Sequence, residues 1–273
     1  MLRRSQLSGA NYAYTRHPLD YFIDSMTRLE IESIEMYAAS PHMYVYDYDR
    51  AGVKGIKRKL DAAGIRVVCL TAEQCMIPVS LSIDDAPVRH RSLDYYGRAL
   101  EQASELEAPL MHMVAGGDYQ QSDPRSSWDR AVDGIGCVAE RAKELGVKIA
   151  LEADRTSPVK NTRDIRKVID LLGCDRIQAL IDTNAVFHAG ETLEEALACA
   201  GKDVAHIHFI DLSAQAGCLV PGEGDLPLVQ ALETLSRSGY GGHLTPELWG
   251  WRYLNEAEAS MRRSRDFCWA HMI

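Results

Sequence analysis

The sequence predicts an α/β fold, a single (β/α)8 TIM barrel over residues 1–273, on three observations. An amphipathic helical stretch, a glycine and a short apolar run recur along the chain, the signature of β/α units around a parallel sheet. Eight such units spread evenly over the length, and no Pro/Ser-rich linker or low-complexity segment divides them. A length of 273 residues alone fits one large barrel or two small domains, and the even spacing selects the barrel. A doubly wound open sheet is the runner-up. It would show a Gly-rich phosphate turn after its first strand, and Gly116-Gly117 after the fourth is too weak a signal for that.

Strands are expected near 6–13, 31–37, 65–71, 109–114, 147–152, 176–182, 204–210 and 242–247, each followed by a helical stretch. The clearest joints are Leu60-Asp61-Ala62-Ala63-Gly64 before Ile65, Lys143-Glu144-Leu145-Gly146 before Val147, and Leu171-Leu172-Gly173 before Arg176. Ser238-Gly239-Tyr240 before His243 is a looser copy. Glycine just past a helix takes the left-handed conformation that turns the chain back. Between the strands, Ile165, Val168, Ile169 and Leu172 form one apolar stripe, with Asn161 or Thr162 as N-cap. Val53, Ile56 and Leu60 form another, as do Trp128, Val132, Ile135 and Ala139.

Hydrophobic residues at 46% and charged residues at 25% describe an ordinary globular chain. With 30 Lys+Arg against 39 Asp+Glu, the net charge of −9 argues against a general affinity for nucleic acid. No window approaches the roughly twenty apolar residues that cross a bilayer. Met1-Leu2-Arg3-Arg4-Ser5-Gln6 is followed by no apolar run of the kind a signal peptide carries. Seven scattered cysteines, odd in number and without a C-x-x-C pair, read as reduced thiols, and a cytoplasmic location is expected. The apolar C-terminus, Phe267 to Ile273, is expected to dock on a second copy, giving a homodimer or homotetramer.

In such a barrel the active site lies at the C-terminal ends of the strands. Strands five to eight end, after apolar runs, in Glu152, Asp182, His208 and Glu247. One carboxylate at a strand end commonly caps a helix or pairs with an arginine. Three on adjacent strands repel unless a cation sits among them. A neutral imidazole with three carboxylates suits one divalent metal ion, Mn²⁺ first, with Mg²⁺ or Co²⁺ as alternatives, better than the thiolate-rich sites zinc favours. Pro246 marks where the last strand ends, because proline cannot donate to a central ladder. His206, two residues before His208, points into the barrel one layer below, as a buried side chain that hydrogen-bonds behind the ligands rather than ligating.

Glu152, Asp182, His208 and Glu247 on successive strand ends resemble the ligand set of the sugar-phosphate isomerase/epimerase family of xylose-isomerase-like barrels. Ile34-Glu35-Met36-Tyr37, His206-Ile207-His208 and Pro221-Gly222-Glu223-Gly224 are similar to further family stretches. Pro41-His42, Thr71-Ala72-Glu73 and Ser92-Leu93-Asp94 resemble motifs of its fructoselysine 3-epimerase-like members. The likeness covers nearly the whole chain. It implies a proton-transfer enzyme in which a ketose or ketose conjugate chelates the ion and an enediolate forms as the α-proton leaves. Glu152 and Glu247 would be the catalytic acid and base as well as ligands, with Asp182 and His208 completing the metal set.

Three positions depart from the ketose 3-epimerase pattern: Pro158 stands for a Glu, Ala185 for a His and Ala214 for an Arg. All three help grip a free sugar, and His188, Asp154 and Arg155 are the available substitutes. For substrate binding the sequence offers His42, Glu73, His112, His188 and Trp249. Glu35, like Glu73, is either a partner of substrate hydroxyls or a solvated or capping carboxylate. His112 is equally a satisfied core histidine, and Trp249 with Trp251 either walls the pocket or packs at a rim or interface. The same metal set also serves a lyase or dehydratase acting on a keto-inositol or 3-keto-glycoside. A DNA-repair endonuclease of the same superfamily is a weaker alternative, because it needs more strand-end histidines and a basic face. A catalytically inert binding module on the same barrel is the last.

Overall fold

The computed structural model describes residues 1–74 and 79–273, so Cys75 lies outside the described residues. In chain order the elements are β1 (Gly9–Ala10), α1 (Leu19–Arg28), β2 (Ser33–Ala38), α2 (Arg50–Ala62), β3 (Arg66–Ala72), α3 (Ala86–Glu105), β4 (Leu110–Met113), α4 (Pro124–Leu145), β5 (Lys148–Glu152) and α5 (Thr162–Leu172). There follow β6 (Ile177–Asp182), α6 (Thr183–His188), α7 (Leu193–Ala200), β7 (Val204–His208), β8 (Asp211–Ser213), β9 (Ala216–Leu219), α8 (Leu228–Ser238), β10 (His243–Thr245) and α9 (Ala257–Ala270). Eight parallel strands run in the order β1-β2-β3-β4-β5-β6-β7-β10. The ends approach closure: Leu7 bridges Leu244 in parallel, and the Ser8 amide donates to the Leu244 carbonyl at 2.9 Å.

Local chemistry explains the regular part. Gly146 and Gly173 end α4 and α5 with φ of 72° and 55°, where a β-carbon would be strained. Asn161, rather than Thr162, caps α5, its side chain accepting from the Asp164 amide at 3.0 Å. The faces of α2 and α5 that carry Val53, Ile56 and Leu60, and Ile165, Val168 and Ile169, are buried against the sheet.

Two departures from the sequence reading, in the first and seventh strands, have visible causes. The first strand is shorter than residues 6–13, because the Asn11 side chain takes over the next rung. Its Oδ1 accepts from the Tyr37 amide at 2.7 Å and its Nδ2 donates to the Tyr37 carbonyl at 3.0 Å, and the backbone turns into a short 3-10 helix at Tyr12–Tyr14. The seventh strand stops at His208 instead of 210, and the chain continues into an antiparallel β8–β9 hairpin. In the β6–β7 pairing, Ala179 faces Val204 but Leu180 faces His206, so Ala205 is an extra residue that brings His208 opposite Asp182.

No helix among the described residues is long and apolar enough to cross a membrane. Six of the seven cysteines are described, and all six are free thiols.

Candidate metal centre

Glu152, Asp182 and His208 are the last residues of β5, β6 and β7, and Glu247 follows β10 by two residues. One ligand atom from each lies within 4.8 Å of the other three. The fit to a cation rests on His208. Its Nε2 lies 3.0 Å and 3.2 Å from the two carboxylate oxygens of Glu35. Its Nδ1 is buried without a hydrogen-bond partner and faces Glu247 Oε2 at 3.3 Å and Glu152 Oε1 at 3.5 Å. Donors each about 2.1 Å from one ion lie roughly 3 to 4 Å apart, so small adjustments of these side chains suffice to close on it.

The electrostatics of the protein alone show the strain that a cation relieves. Burial, and then the charges of Glu152 and Glu247, push the Asp182 carboxyl well above its ordinary range. Burial also opposes the charge of Glu152, but His112, whose Nε2 lies 2.8 Å from Oε2, and His208 outweigh it and hold that carboxyl below the usual range. Burial disfavours a charged His208, yet Glu35, Glu247 and Glu152 hold its ring well above the ordinary histidine range. Without metal, the surrounding charges thus favour the protonated forms of Asp182 and His208. A divalent ion would displace those protons. The four residues fit such an ion, and a divalent metal at this place accords with the donor set.

A buried polar layer lies beneath. His206, fully buried, sits 2.7 Å from Glu35 Oε2 and 2.9 Å from Thr245 Oγ1, as expected of a residue one layer down. Glu35 does not lie at the mouth: it is fully buried inside the barrel, where it also accepts from Tyr12 at 2.7 Å and Thr71 at 2.6 Å. It is neither a partner of substrate hydroxyls nor a solvated carboxylate.

The remaining candidates are placed as follows. His112 is buried against Glu152, its ring edge-on to His208 at 5.0 Å. Glu73, just past β3, is buried and accepts from the Tyr37 hydroxyl at 3.4 Å. His42 is buried with both ring nitrogens engaged, Nδ1 by Asn11 at 2.9 Å and Nε2 by the His17 carbonyl at 2.8 Å. Neither ring nitrogen of His42 faces solvent. His188, the last residue of α6, is exposed beside Phe187, and Trp249 is partly exposed two residues beyond Glu247. Of the grip positions, Ala185 lies in α6, Pro158 between β5 and α5, and Ala214 at the exposed turn of the hairpin.

The β8–β9 hairpin had no signal in the sequence. Asp211 anchors it: one buried carboxylate accepts from the amides of Leu212, Gly222, Gly224 and Leu226 at 2.9 to 3.0 Å. The hairpin carries Cys218, whose thiol is pushed up to about 12 by burial and then by Glu247, Asp182 and Glu152. Without metal the thiol therefore stays protonated beside the carboxylates.

A family model described as "Xylose isomerase-like TIM barrel" matches residues 23–269. The chain belongs to that family. Among curated relatives, fructoselysine 3-epimerase of Escherichia coli O157:H7 is 24% identical over 255 residues, 92% of each chain. Inosose dehydratase of Clostridium perfringens is 22% identical over 165 residues, covering 54% of this chain and 55% of that one. The solved D-psicose 3-epimerase with D-tagatose from Clostridium cellulolyticum H10 superposes with a TM-score of 0.79 at 19% identity, over 98% of this chain and 100% of that one. The first and third of these similar proteins are sugar epimerases, and this xylose isomerase-like barrel is an enzyme.

Proposed function

We propose that this enzyme epimerises or isomerises a ketose or ketose conjugate by moving a proton on the carbon next to a carbonyl. The observation that carries the proposal is the pair Glu152 and Glu247 that converge on His208 Nδ1, at 3.5 Å and 3.3 Å, each with its side chain only partly exposed. A divalent ion, Mn²⁺ by the hardness of the donors, would supply Lewis-acid polarisation of the substrate carbonyl when held by Glu152, Asp182, His208 and Glu247.

The chain's own residues then divide the proton work. Glu152, kept ionised by His112 and His208, has the state required of a base that removes the α-proton. Glu247, from the far side of the cluster, returns a proton to the opposite face, which inverts the carbon. Return of the proton to the neighbouring carbon gives aldose–ketose isomerisation instead. Burial of His112, Glu73 and Asp182 keeps much of the cluster out of bulk water, which strengthens each of these interactions. The names of the 3-epimerases similar to this chain support the same chemistry.

A second reading is favoured by one feature. Pro158, Ala185 and Ala214 put no charged or hydrogen-bonding side chain at three positions expected to grip a free sugar, and inosose dehydratase is similar over half the chain. The same proton abstraction beside a carbonyl, followed by loss of a β-substituent, is elimination. Incubation with Mn²⁺ in D₂O and a panel of ketoses and 3-keto glycosides separates the two. Deuterium at the epimerised carbon without loss of a group supports epimerisation, and an elimination product supports the lyase. Absence of both over the panel refutes proton abstraction on these substrates.

A further inference from the structure

Glu35, His206 and His208 form a second group with the spacing of an ion site, fully buried under the first. Its distances show what holds it together. The His206 Nε2 to Glu35 Oε2 separation of 2.7 Å and the His208 Nε2 to Glu35 Oε1 separation of 3.0 Å are those of direct hydrogen bonds. Tyr12 and Thr71 donate to the same carboxylate at 2.7 Å and 2.6 Å. Four donors from three parts of the barrel thus converge on one acceptor, and protons occupy the space an ion would need.

We infer that Glu35 is a positioning residue of the metal centre, acting through His208. An ionised carboxylate only accepts, so the His208 nitrogen facing it must carry the proton. A neutral imidazole with its proton on Nε2 has its lone pair on Nδ1, the atom directed at Glu152 and Glu247. Glu35 therefore selects the tautomer able to ligate and fixes the ring plane. It does so from β2, across the barrel from β7, and Tyr12 and Thr71 hold the carboxylate in place. Asn11 contributes indirectly, since it turns the chain so that Tyr12 enters the barrel. This inference rests on the metal centre proposed above, and it assigns a task to a residue outside the ligand set.

The test uses the full chain labelled with ¹⁵N-histidine, read by long-range ¹H–¹⁵N spectra, with Zn²⁺ as a diamagnetic probe and calorimetry for affinity. In the zinc-loaded protein His208 is expected to carry its proton on Nε2 and none on Nδ1. Glu35→Gln presents one acceptor and two donors to a ring of donors. It is expected to weaken Zn²⁺ binding about 10- to 100-fold and, metal-free at a pH where the ring is neutral, to show a His208 population protonated on Nδ1. Circular dichroism checks that the variant folds. A metal-free wild-type His208 whose neutral ring carries its proton on Nδ1, or a folded Glu35→Gln with unchanged Zn²⁺ affinity, overturns the inference while leaving the metal centre intact. If Glu35→Gln does not fold, the metal-free wild-type spectrum at a pH where the ring is neutral decides, a proton on Nε2 supporting the inference and one on Nδ1 overturning it. Failure of the wild type to bind Zn²⁺ or Mn²⁺ overturns the metal centre and this inference together.

Discussion

Replacing Asp182 with asparagine should stabilise the metal-free protein and abolish its response to metal. The carboxylate caps α6 by accepting from the Asn184 amide at 2.5 Å, and an asparagine side-chain oxygen keeps that bond. Where the carboxyl is ionised, the change removes its charge and little else. Asp182 faces Glu152 and Glu247 with ligand atoms no more than 4.8 Å apart. Two unit charges at that separation repel by about 3.5 kcal/mol at an effective dielectric constant near 20. One of the two repulsions is offset by a protonated His208, which leaves about 3 kcal/mol for the substitution to release. For a chain of this size that corresponds to roughly 6 °C in Tm.

The gain depends on pH in a defined direction. Unfolded, Asp182 ionises near its ordinary value of 3.8; in the metal-free fold its carboxyl holds the proton to higher pH. Between those limits the native state binds more protons, so wild-type stability falls as pH rises. The advantage of Asp182→Asn should therefore be large at pH 8 and vanish toward pH 4. Thermal unfolding in the presence of chelator, at both pH values and with and without added Mn²⁺, measures it. An Asp182→Asn protein no more stable than wild type at pH 8, or one still stabilised by Mn²⁺ as strongly, would refute the electrostatic argument.

Other outcomes follow from the same geometry. Wild-type protein at a Mn²⁺ concentration 100 times its Kd should gain about 2.7 kcal/mol, near 5 °C in Tm, which chelator reverses. Glu152→Gln and Glu247→Gln should each lower kcat by about 10² to 10⁴, and solvent-deuterium exchange into substrate should fall in parallel. His112→Phe removes the group that holds the Glu152 carboxyl down, so the acid limb of the kcat/KM profile should move to higher pH. Asp211→Asn turns an acceptor of four backbone amides into a side chain that also donates. Limited proteolysis should then cut residues 214–226 faster, with stability lower by about 1 to 3 kcal/mol.

The barrel was legible in the sequence because its determinants are local. A helix stripe at 3.6 periodicity, a glycine able to adopt positive φ and an apolar strand are each written within a dozen residues, and Gly146 and Gly173 act as that pattern requires. The candidate ligands were legible for a related reason: Glu152, Asp182 and His208 each end a buried strand, a position that the parallel barrel sends to one rim.

What the sequence could not specify depends on partners distant in the chain. Asn11 ends β1 by pairing with Tyr37, 26 residues away, so the apolar run after it reads as strand until the neighbour is known. His42 reads as a substrate-binding residue, and only the fold shows its ring nitrogens engaged by Asn11 and His17. Glu35 reads as a strand-end carboxylate. Its acceptor role is set by His206 and His208, 171 and 173 residues on, whose register against β6 in turn depends on the extra residue Ala205. The sequence by itself thus determined the barrel and which side chains reach its rim, because helix and strand periodicity are properties of short segments. Only the tertiary structure decided which nitrogen of His208 faces the cluster and what lies behind it, because hydrogen bonds across a closed sheet join residues with no spacing rule between them.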